Sequence, residues 1–485
     1  MFLMTASTLL VDSQFCDQKQ AEAFIGWLAT QTASDRINLH NIEKLSGGAI
    51  QQNWLLEIEI AGGRLAGRHK WVLRCDAPSA LGISHQRTQE AELLVALADT
   101  ELAIPRIIAL SPQPSPLGKD FFIMGYVEGI AQARKLTRHP DKAQFSDRLV
   151  TQLGAEMARL HQITEEEMPL AWLGRPHQSA ESTALAEVRA ILDRVGGVHP
   201  VLEYGYDWLV SHLDDWHQDT DYRLCHRDFR TGNFLVHDGR MTALLDWEFA
   251  GWSVPAEDIG WLSARCWRFG EDLAEIGGLG SFSAFAQGYL SVAPAMPSKA
   301  TIRYWQIFAE LRWAAIALEQ ADRCRKGEVS LELALSAPLA AEMEYNLLAI
   351  IASPDITAMQ LSDGIAHYQM PAADIHAIEA AIEAGHDALD RLAEGSRKNY
   401  VSAMIAHGQA MLNRINSAPT APAAPDDTPE LMQKIDAIRQ QQQPVEDTGL
   451  QVELARYILA KLAVTNPRYH ESRLESTRLA GRPER

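Results

Sequence analysis

The stretch LCHRDFRTGNFLV, Leu224 to Val236, crowds one histidine, two arginines, an aspartate and an asparagine between apolar ends. Polar groups packed between two hydrophobic anchors are either a solvated loop or a reacting site. The residues just downstream favour the site. In FLVHDGRMTALLDW the pair Asp238-Gly239 stands between two apolar runs, a strong local hairpin signal, and the returning strand ends on Asp246-Trp247-Glu248.

The string from His226 to Asn233 fits H-x-D-x-x-x-x-N, and Asp246 stands thirteen positions beyond Asn233. Together these resemble the core of the kinase-like superfamily, in its aminoglycoside phosphotransferase and choline kinase branch. The resemblance implies an α+β, two-lobed protein-kinase-like fold with a strand-rich N-lobe and a helical C-lobe. It implies Asp228 as catalytic base, Asn233 and Asp246 as metal ligands, and Arg230 as a contact that neutralises the transferring phosphate. ATP and Mg²⁺ are the implied cofactors. Elementary chemistry agrees: phosphoryl transfer needs a carboxylate near the attacking hydroxyl. Mg²⁺ takes few protein oxygens and several from water and phosphate. His226 is expected to be architectural.

Towards the N-terminus, NWLLEIEIAGGRLAGRHKWVLRCD alternates through Leu56, Ile58 and Ile60, turns at Gly62-Gly63 and returns through Trp71 and Leu73, which predicts a β-hairpin. LSGGAIQQNWLLEI before it reads as a glycine turn between strands. It resembles the loop that covers nucleotide phosphates, which makes Ser46, Gly47 and Gly48 candidate contacts. KWVLRCD carries Arg74 where kinases place a lysine, and Glu90 on the next helix is its expected ion-pair partner. Lys70 is the rival to Arg74, since strand parity puts both on one face; the bland alternative for either is a solvated charge. FFIMGYVEGI is a buried-strand candidate running into the expected hinge, with Tyr126 at its start. GGRLAGRHK approaches the spacing of a phosphate-binding P-loop, but Arg68 and His69 replace the required residues and the helix context is missing.

The helical period dominates from about residue 145, where Leu149, Leu153, Met157 and Leu160 share a stripe, and resumes over 304–323. The expected organisation is an N-terminal lobe over 1–125, a C-terminal lobe over 126–350, and an all-helical accessory domain over 351–485. That last domain is interrupted by a Pro/Ala-rich linker at 417–430. Self-association of the chain, substrate capture and stabilisation are all open roles for it.

Bulk composition narrows the partners. The 485 residues carry 63 acidic and 44 basic side chains, a net charge of −19. That balance argues against sequence-independent nucleic-acid binding and against an anionic membrane surface. The five cysteines are scattered, with neither a zinc-knuckle nor a disulfide spacing. No stretch has the uninterrupted apolar length of a transmembrane helix. A reduced, soluble, cytoplasmic protein is expected.

The acceptor is read from the segment after Asp246. DWEFAGWSVPAEDIGWL reaches a helix within about a dozen residues, too short to present a peptide platform, so a small-molecule acceptor is expected. The run DWEFA…PAEDIGWL…RCWRFG is similar to phosphotransferase domains related to those fused to acyl-CoA dehydrogenases. That resemblance implies a hydroxyacyl-CoA substrate, phosphorylated at the 4-hydroxyl. Arg265 and Arg268 are candidate contacts for an anionic substrate, against the plain reading of a solvated helix face. An aminoglycoside is the competing acceptor, and a nucleotide-binding pseudokinase is the competing class.

Overall fold

The computed structural model describes residues 15–45, 51–76, 84–213, 221–352, 368–390, 392, 396–417, 427–441 and 447–466. The chain forms two compact units. The first comprises Met1–Arg175, Asp221–Ser263 and Trp267–Pro297; the second comprises Pro176–Thr220, Ala264–Cys266 and Ser298–Arg485.

The first unit opens with helix α1 (Gln18–Thr32), started by Asp17, whose carboxylate accepts the Gln20 N–H while the Gln20 side chain reaches back. Five strands follow: β1 (Arg36–Lys44), β2 (Gln51–Ala61), β3 (Gly67–Asp76), β4 (Ile107–Leu110) and β5 (Phe121–Gly125). They form one antiparallel sheet in the order β1-β2-β3-β5-β4. Strand alternation explains its two faces. Trp54, Leu56, Ile58 and Ile60 of β2, with Trp71, Leu73 and Cys75 of β3, bury themselves with Phe24 and Leu28 of α1. Arg74 therefore points away from that core, opposite Asn53 in the ladder. Helix α2 (Arg87–Ala96) follows β3 and presents Glu90 among its buried residues.

Beyond β5 come a short helix α3 (Ala133–Thr137) and the long α4 (Lys142–Leu160), whose apolar stripe is buried as its period predicts. Short strands β6 (Arg223–Cys225), β7 (Phe234–His237), β8 (Arg240–Leu244) and β9 (Gly251–Ser253) frame the 226–233 loop: β6 pairs with β9, and β7 with β8 in the expected Asp-Gly hairpin.

The second unit is helical. α5 (Ala180–Val195) and α6 (Pro200–Ser211) belong to it. In the first unit, α7 (Pro255–Ser263) follows β9, and α8 (Phe282–Leu290) packs on α4 so closely that a Cβ on Gly154 would lie 2.1 Å from the Phe285 carbonyl oxygen. The second unit resumes with α9 (Lys299–Arg325), α10 (Leu331–Ala334) and α11 (Ser336–Ile351). It ends with α12 (Ala372–Leu389), α13 (Ser396–Ser417), α14 (Thr428–Gln441) and α15 (Thr448–Thr465). Here α15 is fastened to α11 by a buried pair, Lys461 Nζ to Glu344 at 2.7 Å, and to α6 by Gln451 Nε2 donating to Tyr204 Oη at 2.8 Å.

A strand-rich start followed by helices, with further helices at the C-terminal end, is the expected α+β class. Residues 418–426 of the expected linker lie outside the described residues. Among the described residues, no helix is long and apolar enough to cross a membrane.

Candidate active site

The 226–233 loop folds so that its polar groups face one another. Asn233 Nδ2 donates to the Asp228 carbonyl at 2.9 Å and to Asp228 Oδ2 at 2.5 Å. Arg230 Nε reaches Asp228 Oδ1 at 3.1 Å, and its guanidinium lies 4.6 Å from the centre of the Trp267 ring. Asp228 is buried at 7% exposure, so these bonds form in a site shielded from water. His226 has the expected structural role: its Nε2 bonds the Leu245 carbonyl at 2.9 Å, tying the loop to the end of the hairpin.

The hairpin returns Asp246 to the same site. Its backbone sits at φ 68, a left-handed conformation that non-glycine residues adopt only where the surroundings enforce it. Arg74 supplies part of that enforcement. Its Nη2 pairs with Asp246 while its Nε donates to Glu90 at 3.1 Å. Burial alone would raise the Asp246 carboxyl, but the adjacent Arg74 guanidinium outweighs it and holds the group below the usual carboxylate range. A second guanidinium, Arg87, pairs with Glu90 and lies 3.6 Å from Glu248. Burial, followed by the negative charge of Asp246, pushes Glu248 up to about 8.

Lys70 takes no part in this cluster. It is exposed and pairs with Glu57, its cross-strand neighbour, at 3.0 Å. The geometry thus separates two residues that strand parity could not: Arg74, not Lys70, meets Glu90. Tyr126 is 41% exposed, and its backbone N–H donates to the Lys70 carbonyl at 3.1 Å. Ser46, Gly47 and Gly48 lie outside the described residues.

Helix α7 supplies what sequence reasoning did not single out. Asp258 Oδ2 and Oδ1 accept the backbone N–H groups of His226 and Arg227, each at 2.7 Å. Arg227 itself has φ 59, and its Nε bonds Glu257 at 3.0 Å. One turn further, Trp261 Nε1 donates to Asp228 Oδ1 at 2.9 Å. Residues 257, 258 and 261 share a helical face, which is why one helix holds three successive loop residues. His161, just beyond α4, braces Asp258 at 3.2 Å and contacts Tyr289 Oη of α8 at 3.0 Å. Burial alone would raise the Asp258 carboxyl, but the His161 bond offsets this and holds it below the usual range. Among the described residues, His161, Cys225 and Asp258 are close enough together to suggest a metal site. Both His161 nitrogens are already engaged, so the group reads as a hydrogen-bonded brace.

The arginine candidates resolve differently. Arg268 donates to the carbonyls of Ser263 at 3.1 Å and Asp272 at 2.9 Å, so it closes the end of α7. Arg265 belongs to the second unit, where Glu310 accepts the neighbouring Cys266 N–H at 2.9 Å.

Comparison with known proteins gives a consistent picture. The chain is 24% identical over 250 residues to acyl-CoA dehydrogenase family member 11 of Pongo abelii, a match covering 51% of this chain and 31% of that one. It is 24% identical over 208 residues to acyl-CoA dehydrogenase family member 10 of Mus musculus, covering 41% and 18%. The chain therefore spans less than a third of the length of these curated relatives. A solved protein from Ralstonia eutropha JMP134, provisionally described as an aminoglycoside phosphotransferase, shares the fold with a TM-score of 0.54. Its identity is 20%, over 68% of this chain and 97% of that one. Residues 41–295, a little over half of the chain, match the model of the phosphotransferase enzyme family. That span contains Arg74, Glu90, Asp228, Asn233, Asp246 and the α7 face that holds residues 226–228, and the chain belongs to that family.

Proposed function

We propose that the chain transfers the γ-phosphate of ATP, with Mg²⁺, to a hydroxyl of a small molecule, and that this acceptor is a 4-hydroxyacyl-CoA. The observation that carries the phosphoryl-transfer chemistry is the convergence of Asp228, Asn233 and Asp246 on one buried loop and hairpin end, with Arg74 tied to Glu90 beside them. Asp228 would orient the acceptor hydroxyl and take its proton. Arg230, beside it, would face the charge of the transferring group. Arg74 would contact the nucleotide phosphates, with Glu90 fixing its guanidinium. Tyr126 would stand at the adenine edge, and Ser46, Gly47 and Gly48 would cover the phosphates.

The donor set fits Mg²⁺. The Asn233 amide turns its NH₂ to Asp228, which turns its carbonyl oxygen away, and Asp246 meets Arg74 through Oδ1. One oxygen from each of Asn233 and Asp246 would hold the ion, a hard, all-oxygen set. When bound, the ion neutralises charge on the phosphates and holds them in line.

The acyl-CoA assignment draws on the relatives, which are named acyl-CoA dehydrogenase family members and match 51% and 41% of this chain. The test is ADP release and acceptor phosphorylation from Mg·ATP with a panel of hydroxyacyl-CoAs and aminoglycosides. Turnover of a 4-hydroxyacyl-CoA, lost in Asp228→Asn, is the expected result. Stimulation by an aminoglycoside alone would overturn the acceptor, and no ADP release with any of them would leave a nucleotide-binding module.

A further inference from the structure

The bonds around Asp228 divide its two carboxylate oxygens into different tasks. A carboxylate offers about four acceptor positions. Oδ1 receives two donors, Trp261 Nε1 at 2.9 Å and Arg230 Nε at 3.1 Å. Among the described residues, Oδ2 receives one, Asn233 Nδ2 at 2.5 Å. The remaining acceptor position therefore belongs to Oδ2.

We infer that Trp261 is a positioning residue for the reaction. By holding Oδ1 together with Arg230, it presents Oδ2 as the oxygen that receives the acceptor hydroxyl. This rests on the proposed role of Asp228. In the transfer, the acceptor oxygen forms a bond to the γ-phosphorus as the bond to the β,γ-bridging oxygen breaks. The hydroxyl proton passes to Oδ2, and the nucleoside diphosphate leaves.

The placement of Trp261 is well determined by its surroundings. The indole is 3% exposed, and its ring packs 5.3 Å from that of Trp267, centre to centre. Trp267 in turn lies under Arg230, so both donors to Oδ1 are carried by one aromatic pair. A buried indole needs a partner for its N–H, and an ionised carboxylate is a strong one. Trp261 also shares α7 with Asp258, which holds the backbone of His226 and Arg227. The same helix thus fixes both the path of the loop and the rotation of the Asp228 side chain.

Trp261→Phe keeps the ring packing and removes the N–H. Steady-state ADP release from Mg·ATP is followed with water as the acceptor, so the readout does not depend on the identity of the organic acceptor. The expected result is a fall in kcat of about tenfold to a hundredfold with KM for ATP and the thermal midpoint held. A second measurement does not depend on turnover. In ¹H–¹⁵N spectra, the indole resonance missing from Trp261→Phe should be one that moves in Asp228→Asn. Unchanged kcat in Trp261→Phe, equal losses in kcat and ATP affinity, or an indole resonance indifferent to Asp228→Asn would each overturn the inference. Full hydrolysis by Asp228→Asn would instead overturn the role given to Asp228 itself.

Discussion

Arg74 and Asp246, 172 residues apart in the sequence, form an ion pair in which the arginine side chain is only 7% exposed. The same guanidinium reaches Glu90 at 3.1 Å, so a single planar group spans a helix of the N-terminal part and the end of the β7–β8 hairpin. Lysine has one donor centre and no fork, and it cannot span both carboxylates in this way. Arg74→Lys is therefore expected to lower kcat/KM for Mg·ATP by roughly tenfold to a hundredfold. Arg74→Met should be worse, losing about 3 kcal/mol of stability because Asp246 loses its guanidinium partner while Glu90 keeps Arg87. Steady-state ADP release and denaturant titration check the two expectations. A lysine variant with wild-type kinetics would show that the span is dispensable.

Asp258 is the acceptor for the two backbone N–H groups that start the loop carrying Asp228, one of them on a residue at φ 59. In Asp258→Asn one carboxylate oxygen becomes an NH₂, which faces an N–H with nothing to accept it. The expected loss is about 2–4 kcal/mol in denaturant titration. A drop in kcat should accompany it even at temperatures where the variant is fully folded, since the loop loses the tether that sets its backbone. Wild-type turnover in a destabilised but folded variant would separate Asp258 from the reaction.

The range of each interaction decides whether the sequence reveals it. The hairpin at Asp238-Gly239, the alternation through Leu56, Ile58 and Ile60, and the loop around Asp228 are local patterns, and each is found where its spacing predicts. Asp258 and Trp261 sat in plain view in PAEDIGWL, but neither has a local signature. Their roles exist only because α7 lies against a loop about thirty residues earlier in the chain. Trp261 and Trp267 are 3% and 4% exposed, yet burial alone does not reveal that one indole N–H meets Asp228. The resemblance favours Arg74 over Lys70, but strand parity alone cannot separate them, for a similar reason. Parity puts both on one face, and only the position of α2 gives Glu90 to Arg74. Arg268 shows the same limit: its charge leaves a ligand contact and a solvated helix face both open, and only the fold shows two of its donors closing the end of α7.

Lys461 and Glu344 form a buried pair inside the second unit, with side chains 7% and 1% exposed. Both lysine–carboxylate distances are short, 2.9 Å to Oε1 and 2.7 Å to Oε2. Removing one partner strands the other charge in a dry site. Lys461→Met is expected to cost about 3–5 kcal/mol, and the double change Lys461→Met with Glu344→Met to recover most of it. Denaturant titration of the three variants measures the coupling. If α15 contributes nothing to the folding of this unit, the single change will be silent, and the fastening of α15 to α11 will have been overrated.

Glu310 lies wholly buried in α9, where its carboxylate accepts the Cys266 N–H at 2.9 Å and the Asn346 side-chain amide at 3.2 Å. Burial pushes its pKa from the ordinary 4.5 up to about 7, more than those bonds bring it down. A raised carboxyl pKa means that the folded chain holds a proton that the unfolded chain releases. The associated stability is therefore fully present below about pH 4.5, declines as the pH rises, and is gone above about pH 7. Glu310→Gln removes this titration while keeping the size of the side chain. Between pH 5 and pH 8 the wild-type protein should lose up to roughly 3 kcal/mol relative to the variant, at 1.36 kcal/mol per pKa unit. Urea titrations of both proteins across that window give the difference directly. A gap between the two proteins that stays constant with pH would mean that Glu310 is already ionised in the folded state, with its charge accommodated by the two donors that face it.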